Sequence, residues 1–82
     1  MFKLTVAQVD KVLFKGEVTQ VTCPASLGDV TILSHHSPLV TPLRAGELRI
    51  VDAQGTVTQI PLTDGVLEVG GKVNEDYIVS QL

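Results

Sequence analysis

The stretch Gly28-Asp29-Val30-Thr31-Ile32-Leu33-Ser34-His35-His36-Ser37-Pro38-Leu39-Val40-Thr41-Pro42-Leu43-Arg44-Ala45-Gly46 decides the fold class. It opens on a glycine turn and a short apolar run, Val30, Ile32 and Leu33. A polar tip, Ser34 to Ser37, is closed by Pro38, and Leu39 and Val40 restore apolar character before Pro42 and Gly46. Pro38 and Pro42 exclude a helix, because each fixes φ, lacks an N–H and pushes its predecessor towards extended backbone. Apolar, polar and apolar again within so few residues describes a strand feeding a tethered loop. Loops held on a β scaffold tend to carry contacts with partners.

The flanks carry the same signature. Phe2, Leu4 and Val6 alternate with Lys3 and Thr5, the period-2 pattern of a half-buried strand. Asp10-Lys11 reads as a turn, Val12-Leu13-Phe14 as a short second strand ending at Gly16, and Glu17 to Cys23 as a third that Pro24 ends. Val18 and Val21 are three apart, and a β-bulge near Thr19-Gln20 would restore alternation by inserting one residue. Ala25 to Gly28 forms the next turn. Beyond the opening stretch, Leu48 and Ile50 share one face of a strand with Arg49 and Val51 on the other. A tight turn at Asp52-Ala53-Gln54-Gly55 leads to Thr56–Leu62, where Thr58, Ile60 and Leu62 share a face. Pro61 makes this an edge strand or one whose unpaired N side faces out. Val66 to Val69 and Lys72 to Val79 are the last two strands, with Val73, Tyr77 and Val79 on one face.

Thirteen Val, four Ile and eight Thr against two Phe and one Tyr favour pleated sheets and an aliphatic core. The expected fold is all-β: a flattened β-sandwich or barrel of about nine or ten short, mainly antiparallel strands in two sheets, forming one domain over residues 1–82. Nine acids against six bases give a net charge of −3, which argues against a nucleic-acid footprint. The lone Cys23 excludes an internal disulfide and is compatible with a reducing compartment. Met1-Phe2-Lys3-Leu4 leads straight into alternation, so no signal peptide is visible, and no apolar run approaches the ~20 residues of a spanning helix. A soluble protein is expected, with any membrane association made through a partner.

With these residues in view, the chain resembles the N-terminal β-sandwich domain of the epsilon subunit of F-type ATP synthases. The resemblance rests on V-L-F-K-G-E-V at 12–18 and on G-D-V-T-I-L-S-H-H-S-P-L-V-T at 28–41, which is similar to the family's G-E-x-G-I-L-P-G-H-A-P-L-L-T. L-R-A-G-E-L-R-I at 43–50 and D-G-V-L-E-V at 64–69 add to it. Val30-Thr31 replaces the glycine after the acidic position, Ser34-His35 replaces Pro-Gly, and Thr63-Asp64-Gly65 stands where Ser-Gly-Gly is usual. Most members continue into a C-terminal helical hairpin, which these 82 residues do not contain.

The resemblance implies a non-catalytic rotor subunit of the central stalk, peripheral to the cytoplasmic face of a bacterial inner membrane or its organelle equivalent. Its partners would be the gamma subunit and the membrane c-ring. Family positions facing the c-ring carry over to Asp29 and His36, and those facing gamma to Gln8, His36 and Thr41. No cofactor, metal or catalytic residue is implied.

Read without the family, His35-His36 is either a solvated loop dipeptide or a contact, and Asp29 is a turn residue bonding nearby amides or a charge meeting a partner. Adjacent histidines in extended backbone point to opposite sides, whereas zinc needs three or four convergent ligands; only Cys23, Asp29 and Glu47 could complete such a set. The dispersed glycines lack the Gly-Lys-Ser/Thr of a phosphate loop. Two other functions compete with the rotor subunit: a free-standing β-sandwich adaptor, and a small metal-dependent enzyme using His35, His36 and Asp29.

Overall fold

A computed structural model of the chain describes residues 1–8, 10–34, 37–70 and 76–81. Among them are eight strands and no helix: β1 (Phe2–Gln8), β2 (Lys11–Ala25), β3 (Gly28–Leu33), β4 (Leu39–Leu43), β5 (Gly46–Asp52), β6 (Val57–Leu62), β7 (Gly65–Val69) and β8 (Asp76–Gln81). No helix is long and apolar enough to cross a membrane.

The architecture follows from β2, the one strand long enough to serve two layers. Its first half pairs antiparallel with β1, from Gln8 opposite Lys11 to Phe2 opposite Val18. Its second half pairs with β3 on one side and β5 on the other. One layer is therefore β3-β2-β5-β6 and the other β2-β1-β8-β7-β4, with β4 returning to β2 through Leu43 opposite Ala25. All pairings are antiparallel except β1 with β8. The extents of 27 × 26 × 25 Å are nearly equal, less flattened than expected because β2 carries one layer around into the other.

Two expected strand ends are not observed. Gly16 stays extended opposite Leu4, and the Phe14 ring lies 3.7 Å from where a Cβ on Gly16 would stand. The ring covers the bare backbone, so 11–18 continues as one strand. Pro24 also lies inside β2, opposite Asp29. Its carbonyl accepts the Arg44 N–H at 2.8 Å, so its nitrogen faces the same side, at the gap between the β5 and β4 pairings. No ladder donor is required there. The continuity through Gly16 merges two expected strands, which leaves eight among the described residues, and the one through Pro24 only lengthens β2.

Other features agree with the sequence. The register shifts by one residue between Val18 and Gln20, which is the bulge at Thr19; its hydroxyl donates to the Val51 carbonyl at 3.1 Å. Leu48 and Ile50 are buried while Arg49 is exposed, and β6, carrying Pro61, is an edge strand. In the β5–β6 turn the Asp52 carboxylate accepts the Gln54 and Thr56 amides at 2.9 Å each, and Gly55 takes φ 82°. Tyr77 and Val79 are buried as expected, whereas Val73 falls outside the described residues.

The core is aliphatic apart from one aromatic pair. Leu4, Val6, Val18, Val21, Ile32, Leu48, Leu67 and Val79 are fully enclosed. Phe2 and Tyr77 stack at 4.2 Å between ring centroids, and the Tyr77 hydroxyl donates to the Leu33 carbonyl at 3.3 Å, tying β8 of one layer to β3 of the other. Gly46 is held small by a neighbour: a Cβ there would stand 2.9 Å from Pro24 Cβ, a ring atom fixed to the backbone. Gly46→Ala is expected to cost about 1–3 kcal/mol, read as a lowered midpoint in urea with an unchanged slope.

Candidate functional site: an apolar outer face and the β2–β3 turn

Alternation within a strand and register between strands decide which side chains meet. On the layer containing β4, the inward rows hold Leu67, Val69, Tyr77, Val79, Leu4 and Val6, and the rows between them point outward. One outward row runs Val40, Glu68, Ile78, Thr5, Lys15. Its neighbour runs Pro42, Val66, Ser80, Ala7, Val12. Val40 is 69% exposed and Val12 58%, and Ile78 also faces out, so a band in which six of the ten side chains are apolar crosses five strands, with Glu68, Thr5, Lys15 and Ser80 set among them. The outer side of the other layer is more polar. Its central row is Thr31, Thr22, Arg49 and Gln59, with the Thr22 and Thr31 hydroxyls 3.0 Å apart.

Asp29 is the second residue of β3, after Gly28, whose φ of 135° closes the Ser26-Leu27 turn. Its carboxylate lies 3.9 Å from the Arg44 guanidinium, and both side chains are more than half exposed. Solvent screening holds such a pair below about 1 kcal/mol. Arg44 is anchored by its Nε, which donates to the Ala25 carbonyl at 3.0 Å. Leu27 at the tip of the turn is wholly exposed.

Thr41 lies half-buried on β4 and shares with Asp29 an open cleft of about 410 Å³, lined also by Val30, Leu39 and Pro42. Gln8 stands apart, opposite Lys11 at the far end of β2 from Ala25. His36, like His35, lies outside the described residues. The structure thus brings Asp29 and Thr41 together and separates both from Gln8. The sequence did not reveal the Arg44 contact, since it spans two turns, nor the apolar band, since no single strand contains it.

Cys23 is enclosed in the core, and burial pushes its thiol up from 9.0 to about 12. A thiol held neutral at pH 7 is neither a nucleophile nor a ready metal ligand. Among the described residues no three of His, Cys, Asp or Glu are placed to hold a metal ion.

The chain is thus a β double layer with a buried neutral thiol and an outward face on which Val12, Val40 and Ile78 stay exposed. The chain belongs to the family described as "ATP synthase, Delta/Epsilon chain, beta-sandwich domain", which matches residues 1–74. It is 35% identical over 71 residues to the ATP synthase epsilon chain of Dichelobacter nodosus, covering 87% of this chain and 50% of that one. It is 36% identical over 69 residues to that of Clostridium kluyveri, covering 84% and 52%. The chain therefore spans about half the length of these relatives. A chain from the mitochondrial ATP synthase of Euglena gracilis (OSCP/F1/c-ring) superposes with a TM-score of 0.89 at 22% identity, over 98% of this chain and 49% of its own. One from the Tetrahymena thermophila central stalk and c-ring gives 0.80 at 13%, over 99% and 63%. At such identities the likeness is one of fold.

Proposed function

We propose that residues 1–82 form one epsilon-type domain of the central stalk of a rotary F-type ATP synthase, docking on the gamma subunit and the c-ring and helping to couple ion translocation to ATP synthesis. The observation that carries this reading is the apolar band over β4, β7, β8, β1 and β2, a surface whose burial would be favourable at about 25 cal/mol per Å². The domain does no chemistry of its own. Its two layers share one core, so shear between them would open that core; this stiffness lets it pass torque instead of absorbing it.

In this reading the band lies towards gamma, as do Gln8, His36 and Thr41, the last from the cleft on the other side of β4. Asp29 and His36 meet the polar loops of the c-ring, where the Asp29 charge aids orientation and encounter more than affinity. The domain reaches the membrane only through the complex, on the cytoplasmic face in a bacterium or the equivalent face in an organelle.

Wild-type protein is expected to form a stoichiometric complex with gamma in a pull-down. Val40→Lys with Ile78→Lys places a cation on each side of Glu68 on the exposed face, and should weaken that complex about tenfold or more with the domain still melting as a folded protein. Asp29→Ala should leave gamma binding intact and impair reconstitution with the c-ring. Failure of the wild type to bind gamma, or binding indifferent to the charge pair, would reject the reading.

A further inference from the structure

We propose that the free edge of β3, together with the cleft beside it, is a strand-addition site for an extended polypeptide segment carrying apolar side chains on alternate residues. The inference is independent of the rotor reading.

The two-residue turn Ser26-Leu27 makes Ala25 and Gly28 a hydrogen-bonded pair, and such pairs alternate along an antiparallel ladder. Gly28, Val30 and Ile32 therefore turn their N–H and C=O groups towards β2, and Asp29, Thr31 and Leu33 turn theirs away. Two contacts agree with this phase. The Leu33 carbonyl accepts the Tyr77 hydroxyl from the other layer, and Pro24, which has no N–H, sits opposite Asp29 at a position that needs none. β3 pairs with β2 alone, so among the described residues the N–H and C=O of Asp29 and Thr31 form an unpaired row two residues apart. That spacing is the one an added strand requires.

Proteins ordinarily blunt such edges with proline or lysine. The other outer strand, β6, carries Pro61, whereas β3 has neither, and its one charge, Asp29, lies at its start beside Arg44. Beside the β3 edge lies the cleft of about 410 Å³ lined by Val30, Leu39 and Thr41. An added strand directs alternate side chains to each face. Those on the core side would enter the cleft against Val30 and Leu39. Backbone bonds would supply affinity and the cleft the preference for an apolar side chain.

The probe is a capped nine-residue peptide of alternating threonine and valine, titrated into the full 82-residue chain and followed by amide hydrogen exchange. In the free protein the Asp29 and Thr31 amides should exchange faster than those of Val30 and Ile32. Peptide should slow Asp29 and Thr31 about tenfold or more at saturation. Thr31→Pro removes the outward N–H together with the hydroxyl contact to Thr22, and Thr31→Val keeps that N–H while losing the same hydroxyl contact. Valine should preserve binding and proline should abolish it, with both variants melting as folded proteins; should the proline variant not fold, a peptide N-methylated at alternate residues removes the same bonds from the other side. No binding at millimolar peptide, unprotected Asp29 and Thr31 amides in the complex, or equal binding by the proline variant or the methylated peptide would overturn the proposal.

Discussion

Tyr77→Ala is expected to remove a large share of the domain's stability. Tyr77 is 1% exposed, stacks on Phe2 at 4.2 Å and donates to the Leu33 carbonyl. Emptying a buried aromatic site costs about 3–5 kcal/mol, and the stacked pair adds about 0.5–1.5 kcal/mol beyond area. A chain of this length has a total stability of only about 4–12 kcal/mol. With about 4–8 °C lost per kcal/mol in a small domain, the melting temperature should fall by at least ~12 °C. Tyr77→Phe keeps the ring and removes one hydrogen bond, about 1 kcal/mol, so its fall should be several-fold smaller. Circular dichroism melts of the two variants separate the packing of the ring from the bond of its hydroxyl. Equal small shifts would show that β8 is not held to the other layer in this way.

The second large effect is alkaline. Burial holds the Cys23 thiol up at about 12 in the folded chain, against 9.0 when solvated. At pH 7 both states keep the proton, and the residue adds no pH dependence. Above 9 the unfolded thiol ionises while the folded one stays neutral. The unfolded state then binds fewer protons, and stability falls as pH rises from about 9 to about 12. By about pH 11 the loss is of order 2–3 kcal/mol. Urea titrations of wild type and Cys23→Ala across this range isolate it, because lysine and tyrosine titrations are common to both and cancel in the difference. The variant should lack the extra alkaline slope. A disulfide reagent should label native Cys23 only after denaturant is added; rapid native labelling would place the thiol outside the core.

The buried Cys23 shows what composition could not reach: a lone cysteine bounds the disulfide count but does not say which side of its strand meets the core. The expected end of the third strand at Pro24 fails for a similar reason. Proline removes a donor wherever it stands, but whether that donor is missed depends on what lies across from it. Here Arg44 meets the Pro24 carbonyl and no ladder demands the N–H. Gly16 is tolerated mid-strand because Phe14 covers it, a contact two residues away in sequence that only the extended backbone brings about.

The sequence by itself determined the all-β class, the inward set Phe2, Leu4, Val6, Leu48 and Ile50, the bulge at Thr19, the turn at Asp52–Gly55 and the edge position of Pro61. Each is written in a few adjacent residues, because side-chain alternation, proline chemistry and turn geometry act locally. Only the tertiary structure decided that β2 is one strand shared by two layers, that Asp29 lies near Arg44 and shares a cleft with Thr41 while Gln8 lies at the far end, and that Val12, Val40 and Ile78 face outward on one layer. Those arrangements depend on which strand pairs with which and in what register, and that choice is made by burial summed over the whole core.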